Sequence, residues 1–148
     1  MSAPGVALLD PQQAGVFFVL DEDLAPLEAA ARSADLAVRR IDLRACRDKA
    51  ALLDRFADAL GTPDSQGRNW DALSDQLRDL GWLPAPGYVL LLPAAADLRD
   101  ADEAGFDTLL DILDEAAVDW QARDVPFWAF LALPDADFPE EDDAAALA

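Results

Sequence analysis

Asn69, Asp71, Ser74 and Asp75 fall within one short segment, NWDALSDQL. On a helix, Asp71 and Asp75 stand four residues apart and project from the same face. Two carboxylates on a rigid face can serve as acid and base, can hold a cation, or can stand in for a phosphate before a preorganised cationic cleft. The rest of the composition argues against the first use. The chain has no histidine, and its only lysine, tyrosine and cysteine are Lys49, Tyr88 and Cys46. Most side chains used for proton transfer or nucleophilic attack are therefore missing, and the expectation is a protein that is not an enzyme and has no catalytic residues.

Metal and cofactor chemistry find little support. Asp97, Asp100 and Asp102 cluster, but without the spacing and central glycine of a calcium loop. A lone cysteine forms no internal disulfide and, without histidine, no zinc site of the usual kind, so Cys46 reads as a small buried residue. No Gly-rich phosphate loop and no internal repeat is present. The expectation is no metal and no cofactor.

Charge points to a partner. Thirty acidic residues face 11 basic ones, giving a net charge of −19 and a pI near 4.1. Such a surface repels nucleic acid and anionic membranes and attracts a basic protein. No apolar stretch approaches the roughly 20 residues needed to span a bilayer, and no N-terminal segment has the form of a secretion signal. A cytoplasmic protein, monomeric when free, is expected.

The elements that would position these residues can be read in chain order. At 148 residues and 53% hydrophobic composition, one domain over residues 1–133 suffices. Val16, Phe17, Phe18, Val19 and Leu20 suit a strand buried on both faces. A helix over about 23–33 and a strand over 36–43 follow. Leu52, Leu53, Phe56 and Leu60 mark a helix over 48–60, closed by Gly61 and Pro63, and 61–68 reads as a loop. Asn69 is placed to cap the next helix, with Asp71 near its positive end. Trp70, Leu73, Leu77 and Leu80 share its apolar face, and Asp71, Ser74, Asp75, Arg78 and Asp79 share the other. Residues 87–93 form a central strand. The helix over 102–120 buries Phe106, Leu109, Leu113 and Trp120 and exposes Asp107, Asp111, Asp114, Glu115 and Asp119. A last strand covers 126–133, and residues 134–148, with six acids and no base, read as a disordered acidic tail. Alternating strands and helices favour an α/β fold with a mostly parallel sheet of three to four strands packed with helices.

The segment from Gly67 to Leu77, with the spacing G-x-N-x-D-A-L-x-D-x-L, resembles the signature of the barstar family of bacterial intracellular ribonuclease inhibitors. The resemblance covers residues 36–133, leaving the strand and helix over 15–35 as an N-terminal addition. It implies a barstar-like fold and a 1:1 inhibitory complex with a basic ribonuclease of extracellular or toxin type, with this chain as the immunity partner. It further implies that Asp75 takes the place of a substrate phosphate before the arginines and histidine of the nuclease, with Asp71 adding charge beside it. Glu115 matches the family's second acidic contact, and Asp119 lies one turn on. Ser65 and Ser74 depart from the pattern, standing where the best-characterised member has aromatic contacts. The family's Gly-Trp pair recurs as Gly81 and Trp82, two residues later. Trp82, on a loop, is the candidate interface anchor. The implied partner-binding set is Asn69, Asp71, Ser74, Asp75, Trp82, Glu115 and Asp119. The alternative is an acidic binding or regulatory module of the same fold whose basic partner is not a nuclease.

Overall fold

The computed structural model describes residues 8–61 and 69–135. Four strands, β1 (Val16–Val19), β2 (Ala37–Arg40), β3 (Tyr88–Leu92) and β4 (Phe127–Ala132), form one sheet in the order β1-β4-β3-β2. All three pairings are parallel. Five α-helices lie among the described residues: α1 (Leu24–Ser33), α2 (Lys49–Leu60), α3 (Trp70–Asp79), α4 (Ala95–Ala101) and α5 (Glu103–Gln121). The α/β architecture expected from the alternation is present, with every strand parallel.

The central strands β3 and β4 are buried along their whole length, as continuous apolar runs in a covered parallel sheet must be. Alternation along β3 divides the core. Tyr88, Leu90 and Leu92 pack with Phe56, Leu77, Phe106, Leu113 and Trp120 from the layer of α2 to α5. Val89 and Leu91 face Leu24, Leu27 and Ala31 of α1 on the other side, together with Leu8. The N-terminal segment is tied down there by Trp128, whose Nε1–H donates to the Leu8 carbonyl at 2.9 Å.

Strand β1 corrects one expectation. Its apolar run suggested burial on both faces, yet Phe17 and Phe18 remain 42% and 45% exposed. The strand pairs only with β4 and forms an edge, with α1 packed against β2 and β3 and only α5 beside β1 among the closely packed helices. Phe17 stacks on Trp128 and Phe130, and Phe18 lies against Phe106 on the opposite face.

Helix ends follow local chemistry. The Asp48 carboxylate accepts the Ala51 N–H at 2.9 Å to start α2, and Gly61 closes it in the left-handed region at φ 68°, where a side chain would be strained. Helix α4 was not expected from the sequence. The acids that suggested a metal cluster serve structure there: Asp97 accepts the Ala45 N–H at 2.7 Å, Asp100 pairs with Arg99, and Asp102 caps α5 through the Gly105 N–H at 3.0 Å. The acidic tail, from residue 136 on, and the loop with Ser65 and Gly67 lie outside the described residues.

Candidate partner-binding surface

Helix α3 begins as its sequence dictates. The Asn69 Oδ1 accepts the Ala72 N–H at 2.7 Å, satisfying one of the first-turn amides that have no partner within the helix. Its side-chain oxygen is thus committed to the cap. Asp71 follows, exposed in the first turn, where the helix dipole favours a negative charge. Trp70 is half-buried, and the Lys49 ammonium sits 5.5 Å from its ring centroid, within cation–π range.

Leu73 and Leu77 anchor α3 in the core. Gln76 joins them, 5% exposed, as the only buried amide or charged side chain among the described residues, and its Nε2 has no hydrogen-bond partner. An unsatisfied buried amide is costly, and nothing in the apolar pattern of the helix announced it. Asp75 points outward with its side chain 74% exposed and forms an ion pair with Arg78 at 2.9 Å. Arg78 also donates through Nε to the Ser74 carbonyl at 3.3 Å, folding back over the residues the sequence singled out.

Helix α5 packs beside α3 and carries the second group of acids. Trp120 donates from Nε1 to the Leu77 carbonyl at 2.7 Å in a buried bond. Arg123 donates to the Arg78 carbonyl at 2.6 Å. These two contacts satisfy carbonyls in the last turn of α3 that have no acceptor role within the helix, and they fix the two helices against each other. The Arg123 guanidinium also lies 3.7 Å from the Trp120 ring centroid and pairs with Asp119. Glu115 stands exposed one turn earlier. Asp75, Arg78, Arg123 and Asp119 therefore form a connected series joining the two acidic faces.

Trp82 is placed differently. Leu80 ends α3 in the left-handed region at φ 51°, and Gly81 and Trp82 follow at once. The Trp82 indole N–H donates to the Leu60 carbonyl at the end of α2 at 2.8 Å, and the ring packs half-buried against the core. Its polar atom is already used, which leaves only part of the ring for a partner. Tyr88 fixes the same loop by donating its hydroxyl to the Leu83 carbonyl at 2.9 Å. Burial pushes the Tyr88 hydroxyl above its ordinary range.

Sequence reading placed Arg78 on this face and Trp120 in the core, but passed over Arg123, the pairing of Arg78 and the bond of Trp120 to α3. The signal for the arginines was available as Asp75/Arg78 and Asp119/Arg123 spacings of three and four. The bonds of Trp120 and Arg123 to α3 had none, because they join carbonyls far along the chain.

Fold and surface together define a parallel α/β protein with an acidic face built from two interlocked helices. The family model described as Barstar (barnase inhibitor) matches residues 36–132, and the chain belongs to this family. The match begins after β1 and α1, so the edge strand and its helix lie outside it. No curated protein matches the chain.

Proposed function

We propose that this chain is a stoichiometric inhibitor of a basic ribonuclease, acting in the cytoplasm as a monomer that binds one nuclease. The observation that carries the reading is the exposed carboxylate of Asp75 on a helix whose backbone is fixed by Trp120 and Arg123. A ribonuclease must stabilise a phosphorane dianion, so its active site is a preorganised cationic cleft. A carboxylate held on a rigid helix meets that cleft with little loss of conformational freedom on binding. Asp71 on the same face, and Glu115 and Asp119 on α5, would surround it with negative charge. The net charge of −19 would speed encounter at low salt.

The test is the residual activity of a panel of basic bacterial ribonucleases titrated with the protein. Inhibition should be complete at one equivalent for a cognate enzyme. Asp75→Ala should weaken binding by about 2–5 kcal/mol, because the nuclease cations stay desolvated without their partner, a general range to which barnase and barstar themselves contribute. Ser74 favours a second reading, in which the same face serves a basic protein that is not a nuclease. No inhibition of any enzyme in the panel, with 1:1 capture of another basic protein that depends on Asp75, would establish that reading instead.

A further inference from the structure

Two of the carboxylates on this face, and two tryptophan rings of the same helices, are already met by cations of the chain itself. Arg78 sits on Asp75, Arg123 sits on Asp119 and on the Trp120 ring, and Lys49 lies over Trp70. In a chain with 11 basic residues against 30 acids, three of the bases meet acids or rings of α3 and α5.

We propose that Arg78 is a specificity-determining residue of this surface: in the free protein it holds the position on Asp75 that a cation of the partner takes, and binding is an exchange of one guanidinium for another. The inference rests on the inhibitor reading above and names how its central carboxylate selects a partner.

The geometry makes the exchange feasible. The Asp75–Arg78 pair is exposed on both sides, at 74% and 44%, and an exposed pair three residues apart is held only weakly. Arg78 also has a second hold, its Nε bond to the Ser74 carbonyl at 3.3 Å, so the guanidinium lies across Ser74 and beside the carboxylate rather than trailing into solvent. A partner must therefore displace it, and the displaced charge remains beside the incoming cations. Like charges brought together in an interface are strongly unfavourable. A nuclease that offers a desolvated, bidentate arginine for Asp75 and an acidic rim group for Arg78 gains from the exchange. One that offers only a hydrated lysine gains little.

Arg78→Ala removes the competitor while keeping a helix-favouring residue, and Arg78→Lys keeps the charge without the planar fork. Arg32→Ala makes the same change in net charge on α1, far along the chain, where Arg32 pairs with Glu28. The measurement is the dissociation constant and association rate of each variant with a ribonuclease the wild type inhibits, chosen from the same panel. Thermal unfolding of each variant confirms that it is folded. Arg78→Ala should bind about three- to tenfold tighter, Arg78→Lys should fall between it and the wild type, and Arg32→Ala should stay at the wild-type value. In an Asp75→Ala background the gain from Arg78→Ala should shrink, because only the repulsion between Arg78 and the partner's cations is then relieved and no Asp75–Arg78 pair has to be broken. Affinity that is unchanged or lower in Arg78→Ala, or a gain that is undiminished in the Asp75→Ala background, would overturn the exchange while leaving the inhibitor reading standing. If neither the wild type nor any variant inhibits a ribonuclease, the inhibitor reading fails and the exchange fails with it.

Discussion

Asp75 and Gln76 are neighbours on α3 with opposite fates, one exposed and paired, the other buried with an unsatisfied amide. Successive helix positions lie about 100° apart around the axis, and here that step carries the chain from an exposed carboxylate to a buried amide. Gln76→Met keeps length and volume while removing the orphaned donor. It should raise stability by about 1 kcal/mol, read as a higher urea midpoint at unchanged slope, and should leave partner binding unaffected because the side chain does not reach the surface. At this scale the sequence was informative where chemistry is local. The cap at Asn69 and the outward projection of Asp71 and Asp75 follow from residue type and helical period. The pairing of Asp75 with Arg78 is legible from spacing only once the helix is granted. The use of the Trp82 indole N–H by Leu60 is not, since the two stand on different elements.

Between elements, the contact that matters most is the clasp of α5 on the end of α3. Trp120 buries a hydrogen bond to the Leu77 carbonyl, and Arg123 reaches the Arg78 carbonyl. Trp120→Phe keeps an aromatic ring in the core but leaves that carbonyl without its donor. It should cost about 1–3 kcal/mol in stability and should weaken partner binding less than Asp75→Ala does, because it loosens the placement of the acids without removing one. Equilibrium denaturation and an inhibition titration on the same sample check both parts. The elements themselves were largely readable, since α2, α3, α5 and the two central strands all follow strong apolar periods. Two features were not. Helix α4 is seven residues long, too short for a period to stand out, and its acids suggested a cluster instead. An apolar run such as Val16 to Val19 fixes a strand but not its place in the sheet, so the exposure of β1 depended on a pairing order that no local pattern encodes.

For the molecule as a whole, charge dominates. With no histidine in the chain, few groups change state between neutral pH and the alkaline range. Two buried ones do. Burial chiefly pushes the Cys46 thiol above its ordinary value of 9.0 and the Tyr88 hydroxyl above 10.0. Both groups are neutral in the folded core and ionise more readily when unfolded. Their stabilising contribution is therefore intact below those ordinary values and is lost as pH rises through them toward the folded values. Urea midpoints should be flat from pH 7 to 8 and fall above about pH 9, and Cys46→Ala should remove the earlier part of the fall. A midpoint that rises with pH above 9 would contradict the burial of these groups.

If Asp75 takes the phosphate position of a ribonuclease active site, as proposed, a nucleotide and this chain must compete for the enzyme. The dissociation constant of the protein for a ribonuclease that it inhibits is measured with rising amounts of a nucleoside 3′-monophosphate. If the carboxylate and the phosphate share one site, the apparent constant increases in proportion to the nucleotide for the wild type. Affinity that stays constant while the nucleotide saturates the enzyme would place the protein elsewhere on the nuclease and rule out Asp75 as a phosphate mimic.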